Sequence, residues 1–229
     1  MASSSPNTVS SRRFEPPVEA SDRSRRIALV VCVAALVTFV VVGLLSYGRS
    51  YVAEPVDLWW SDLMLSQRTD VGVALAWIPA VIGGPIAMLV IGLALVALFL
   101  LLRWKVVALT LAAAMVASVA LAAPLAAVVA RTRPEASLAE TVPTSFPSGH
   151  TAMAATVAVI LALVFRHWVA WVAGVVWVLV MAWSRTYLQA HWLTDVIAGA
   201  LLGIVAGALV WSAIETVRVR RMSKATPAS

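Results

Sequence analysis

The chain has 229 residues, of which 62% are hydrophobic and only 12% charged, with a mean hydropathy of +0.93. That composition excludes a water-soluble domain, because too little polar surface exists to cover so apolar a core, and leaves an integral membrane protein. The formal net charge of +6 is accounted for by membrane topology and lipid headgroup contact, so no nucleic acid partner follows from it.

In chain order, residues 1–26 are rich in Ser, Pro and charge without apolar periodicity, which predicts a disordered tail. Apolar runs then occupy 27–48, 71–102, 106–130, 149–165, 167–184 and 196–214. A helix crosses the hydrocarbon in about 20 residues, so five of these runs suit one crossing each. The first is longer than the apolar core of a signal peptide, about 7 to 15 residues, and is read as a crossing. The second, at 32 residues, is too long for one upright span and is interrupted by Pro79, Gly83, Gly84 and Pro85. We read 55–78 as an interfacial helical segment marked by Trp59 and Trp60, with the second crossing at 83–102. Asp57, Asp62 and Asp70 are expected to form its solvated face. The predicted fold is all-α: an integral membrane bundle of six transmembrane helices over 27–215, an outer interfacial segment, and a basic tail at 216–229.

Orientation follows from Lys and Arg. With the N-terminus inside, twelve of the 17 basic residues lie on the inner side, among them Arg23, Arg25, Arg26, Arg103, Lys105, Arg166, Arg218, Arg220 and Arg221. Both termini are therefore expected in the cytoplasm of a multi-pass plasma-membrane protein. The lone Cys32 allows no intramolecular disulfide.

Three polar stretches carry candidate chemistry. In Ser145–Thr151, Pro147 fixes the backbone before a helix, Ser148 is a good N-cap, and Gly149 leaves the first amides uncovered. Such a helix start binds anions, and His150 adds an imidazole suited to proton transfer near neutrality. Upstream, Arg131 and Arg133 precede Pro134, which favours an extended backbone, so both guanidinium forks can converge on phosphate oxygens. Downstream, Arg185 closes the fifth crossing, while His191 and Asp195 stand four apart at the start of the sixth and share one face. A carboxylate on one imidazole nitrogen would set the tautomer and leave the other nitrogen free to attack. His167, in the inner turn, is assigned to packing. Odd crossings end, and even crossings begin, on one side of the membrane, so all these residues meet at one surface, the outer one by the charge count. Cations, helix amides and two imidazoles describe phosphoryl transfer.

These motifs resemble the type 2 phosphatidic acid phosphatase superfamily, the lipid phosphate phosphatases that share a site with vanadium haloperoxidases. The family pattern is Lys-x6-Arg-Pro, then Pro-Ser-Gly-His, then Ser-Arg-x5-His-x3-Asp. Here Pro147-Ser148-Gly149-His150 and Ser184-Arg185, His191 and Asp195 match the last two, and Arg133-Pro134 matches the first in part, because Ala126 stands where the lysine would be. The resemblance implies His191 as nucleophile through a phosphohistidine, Asp195 as its orienting partner, and His150 as acid and then base. It also implies Arg133, Arg185, Ser148 and the Gly149 amide as the phosphate cradle, with Arg131 as an auxiliary cation. No cofactor or metal is implied, since several arginines beside one carboxylate make a poor divalent cation site. The expected partner is a lipid phosphate in the bilayer: a polyprenyl diphosphate of the undecaprenyl type, phosphatidylglycerophosphate or phosphatidic acid. Ala126 favours the alternative of a catalytically silent lipid-binding or transport protein. A vanadate-using oxidase is disfavoured by the missing lysine and the absence of a soluble scaffold.

Overall fold

The structure, a computed structural model, describes residues 21–46, 55–139 and 142–225. Most of the expected N-terminal tail lies outside these residues. The described chain forms eight helices: α1 (Asp22–Ser46), α2 (Pro55–Ser66), α3 (Asp70–Ile82), α4 (Pro85–Leu101), α5 (Lys105–Val129), α6 (Gly149–Phe165), α7 (Trp168–Tyr187) and α8 (Leu193–Ala225). No strand occurs among these residues, and the only extended pairing there is an isolated antiparallel bridge between Thr132 and Thr144.

Among the described residues four helices, α1, α5, α7 and α8, are long and apolar enough to cross a membrane, and α3 with α4, bent by 48° at their break, make a broken span or a re-entrant loop. The protein is thus a multi-pass, all-helical membrane protein. The expected fourth crossing, α6, is apolar but has 17 residues, shorter than α1, α5, α7 and α8. The segment expected as one interfacial helix is two, separated at Gln67–Thr69, and Thr69 caps the second by accepting from the Gly72 amide. At the ends, α1 begins at Asp22 and α8 runs to Ala225, past the limits expected at 26 and 216. Arginine is a good helix former and no breaker intervenes in either stretch.

The centre of the bundle is the pair α6 and α8. Gly199, Gly203 and Gly207 recur every fourth residue on α8 and line one face. A Cβ on Gly199 would strike the Ser148 carbonyl oxygen, and one on Gly203 would strike that of Ala152. Small residues at this spacing let two membrane helices approach backbone to backbone. Thr156 adds a buried hydroxyl that donates to the Ala152 carbonyl at 2.8 Å. Around this seam α1 and α5 pack on α8, α7 packs on α6, α4 lies on α5 and α3 on α7. The main apolar core gathers Leu111, Ala114, Ile160, Val164 and Trp211 from α5, α6 and α8.

Candidate active site

The seam fixes the start of α6 beside the start of α8. Ser148 caps α6 by accepting from the Thr151 amide, with its hydroxyl 3.1 Å from that of Thr151, and its own amide donates to the Asp195 carbonyl at 3.0 Å. Ser148 is fully buried. A Cβ on Gly149 would meet nothing within 4 Å, so the first turn of α6 faces open space. His150, next along, is half-buried, and its Nε2 lies 3.8 Å from where a Cβ of Gly84 would stand, at the break between α3 and α4.

The loop from α5 to α6 is pinned at the Thr132–Thr144 bridge and by the Ser145 amide, which donates to the Arg131 carbonyl at 2.8 Å. The α7–α8 junction is equally constrained. The amides of Ala190 and His191 both donate to the Arg185 carbonyl, at 3.0 and 3.3 Å. Gln189 adopts a φ of 55°, a left-handed conformation unusual for a side chain of this size. Its amide nitrogen donates to the Thr186 carbonyl at 3.1 Å and its amide oxygen accepts from Ser61 at 2.7 Å, which holds it there. Arg185 is buried in the last turn of α7.

His191 is the meeting point. Its Nδ1 lies 2.7 Å from the Ser145 carbonyl oxygen and its Nε2 lies 3.2 Å from Nη1 of Arg133. A carbonyl only accepts and a guanidinium only donates, so both neighbours require the same tautomer: proton on Nδ1, lone pair on Nε2. Arg133 also donates to the carbonyls of Val142 and Thr144, each at 2.6 Å, and to that of Ala190. Its fork is thus held in place beside Nε2 of His191.

Two sequence expectations require correction. The hydrogen bond that orients His191 comes from a backbone carbonyl, not from Asp195, whose Oδ2 is 3.9 Å from Nδ1. Asp195 instead accepts from the Trp192 amide at 2.9 Å and from Arg131 at 2.8 Å. Arg131, expected to assist the phosphate, is 2% exposed and committed elsewhere. Its Nη1 donates to Thr194 and Asp195 and its Nη2 to Asp57 at 2.5 Å, with the guanidinium 5.7 Å from the centre of the Trp192 ring.

Asp57 is the residue that sequence reasoning missed. Expected on a solvated face, it is fully buried, whereas Asp62 and Asp70 are exposed. The burial has a physical cause: each carboxylate oxygen has strong donors, namely the Thr194 amide at 2.8 Å on Oδ1, and the Thr194 hydroxyl at 2.8 Å with Arg131 on Oδ2. A buried charge persists only when so paired.

Comparison with known proteins agrees with these motifs. Residues 107–218 match the family model of the PAP2 superfamily. A 59-residue stretch is 44% identical to an undecaprenyl-diphosphatase of Sulfolobus acidocaldarius, covering 26% of this chain and 28% of that one. The fold resembles a PAP2-type phosphatidylglycerolphosphate phosphatase of Bacillus subtilis, with TM-score 0.73 and 23% identity over 81% of this chain and 96% of that one. It also resembles LpxE of Aquifex aeolicus, with TM-score 0.62 and 23% identity over 71% and 98%. The stretch that matches the PAP2 superfamily runs from α5 into α8, the four helices that bring His150, His191 and Asp195 to one end of the bundle.

Proposed function

We propose that the protein is a membrane-embedded phosphatase of lipid phosphates or polyprenyl diphosphates that works through a phosphohistidine on His191. The observation that carries this reading is the doubly determined tautomer of His191, which presents the Nε2 lone pair beside Arg133 at the open start of α6. An incoming phosphoryl oxygen would draw Arg133 from Nε2, and the lone pair would attack phosphorus. The P–N bond forms as the P–O bond to the lipid breaks, His150 gives its proton to the departing oxygen, and the ring becomes cationic with Nδ1–H still held by Ser145. His150 then takes a proton from water, whose oxygen attacks phosphorus as the P–N bond breaks, returning the lone pair to Nε2 and releasing inorganic phosphate.

Arg133, Arg185 and the amide of Gly149 are assigned to the phosphoryl oxygens, with Ser148 holding the helix start that presents that amide. These cations supply the charge that a divalent metal supplies elsewhere, so activity is expected without metal. A site at headgroup depth can receive the phosphate while the chain stays in the bilayer. The similarity to an undecaprenyl-diphosphatase and to a phosphatidylglycerolphosphate phosphatase supports that substrate class.

On this reading α6 is the remaining crossing: 17 residues at about 1.5 Å each span about 25 Å, close to a hydrocarbon core of about 30 Å. With α1, the α3–α4 pair, α5, α7 and α8 it makes six, and the basic residues at Arg103, Arg166 and Arg218 favour an outward site with cytoplasmic termini. The silent lipid-binding alternative rests on Ala126 alone. Phosphate release from a panel of lipid phosphates by the purified protein in detergent, with EDTA present, tests the reading. Turnover supports it, and none on any of them favours the silent protein.

A further inference from the structure

The phosphatase reading leaves one buried charge without a task. Asp57 lies in the first turn of α2, yet its carboxylate reaches the first turn of α8 and accepts from the Thr194 amide. It therefore acts as an N-terminal cap in trans, a negative group at the positive end of the helix dipole. The same carboxylate binds Arg131, which binds Asp195, so three residues, none more than 2% exposed, form one chain of charge: Asp57, Arg131, Asp195.

The sum of that chain matters. Arg131 and Asp195 alone would be neutral, and His191 would face an ion pair. With Asp57 ionised beside them the cluster carries one net negative charge, and the oxygen nearest His191 is the Oδ2 of Asp195, 3.9 Å from Nδ1, which also accepts from the Trp192 amide at 2.9 Å. Transfer of a phosphoryl group to Nε2 leaves the ring cationic, because the proton on Nδ1 stays. A net negative cluster stabilises that cation in the transition state and not the neutral ring before it. We propose that Asp57, on the helix outside the catalytic motifs, is a positioning residue for phosphoryl transfer: it occupies Arg131 so that Asp195 keeps an uncompensated charge for His191, and it fixes the start of α8 from which that charge projects.

The inference rests on the phosphatase reading and is tested on full-length protein in detergent, with whichever lipid phosphate the wild type hydrolyses. Asp57→Asn removes the charge and retains the shape. Its kcat is expected to fall about ten- to a hundredfold, the scale of a lost charge-assisted hydrogen bond, with KM changed by no more than about twofold. Asp57→Glu keeps the charge and is expected to stay within about threefold of wild type. Because Asp57 acts through Arg131, Asp57→Asn/Arg131→Gln should be no slower than Arg131→Gln alone. Should Asp57→Asn fail to accumulate, Asp57→Ser is expected to show the same loss in kcat. A wild-type kcat in either variant, a loss confined to KM, an Asp57→Glu as slow as Asp57→Asn, or multiplicative effects in the double variant would each overturn the proposal. A wild-type protein with no turnover overturns the phosphatase reading instead.

Discussion

The carbonyl oxygen of Ser145 stands 2.7 Å from Nδ1 of His191, so the orientation of this imidazole is set by the backbone of the loop that leads into α6. No substitution at position 145 removes that acceptor. The loop must be displaced to lose it, and Arg133 opposes that by binding two carbonyls within the loop, those of Val142 and Thr144, and that of Ala190 at the α7–α8 junction.

His191→Ala is expected to abolish turnover while the protein still inserts and purifies, since removal of a nucleophile lowers kcat by several orders of magnitude. Acid-stable and acid-labile phosphate on protein quenched during turnover distinguishes the chemistry: a phosphohistidine is acid-labile and should be absent in His191→Ala. Full activity in that variant would end the phosphohistidine assignment.

Arg133→Lys should be nearly as damaging as Arg133→Ala. A lysine is a point charge and cannot span the carbonyls of Val142, Thr144 and Ala190 while facing His191. We expect at least a hundredfold loss in kcat/KM for both, about 3 kcal/mol in the transition state. An Arg133→Lys enzyme within about threefold of wild type would show that charge alone matters there.

Ala126→Lys bears on the departure from the family motif. Arg131 is bound to two carboxylates and cannot stand in for the missing lysine, so a lysine at 126 should not rescue Arg131→Ala. That single variant leaves Asp57 and Asp195 buried without their shared cation, a loss of about 3 to 5 kcal/mol in stability. A lower melting temperature in detergent is the expected signature, and a restored enzyme in the double variant would overturn it.

Membrane sidedness is open to a labelling test. In a Cys32→Ala background, a cysteine at exposed Glu135, in the loop beside the site, should react with an impermeant thiol reagent in intact cells, and one at exposed His167 should not. The opposite pattern would put the site in the cytoplasm.

What was legible in the sequence was local. Ser148 as a cap and Gly149 at an open helix start depend on residues within one helical turn, whereas His191, expected on one helical face with Asp195, stands two residues before α8 begins. Asp57 was not legible, because its partners Arg131 and Thr194 are 74 and 137 residues away and its neighbours Trp59 and Trp60 suggest a membrane surface. The misassignment of Arg131 followed from the same gap: without Asp57, two arginines two apart look like a pair for phosphate. The Ser145 carbonyl leaves no trace in residue identity. The spacing of Gly199, Gly203 and Gly207 was a readable signal for close helix packing that composition had hidden among other small residues.

That glycine seam makes a specific demand on steric room. Gly203→Ala would drive a Cβ against the Ala152 carbonyl and to 2.7 Å from the Cβ of Ala155, and neither can yield without moving a helix. The expected loss is about 1 to 3 kcal/mol, read as a lower melting temperature together with lower activity, because the starts of α6 and α8 move apart.

The seam also divides the molecule mechanically. Where backbone rests on backbone there are no rotamers to exchange, so α6 and α8 act as a keel that transmits displacement without absorbing it. Gly83 and Gly84, at the 48° break beside His150, lie outside that seam. On the proposed phosphatase reading, the seam holds the starts of α6 and α8 at a constant separation while a lipid arrives at this end of the bundle.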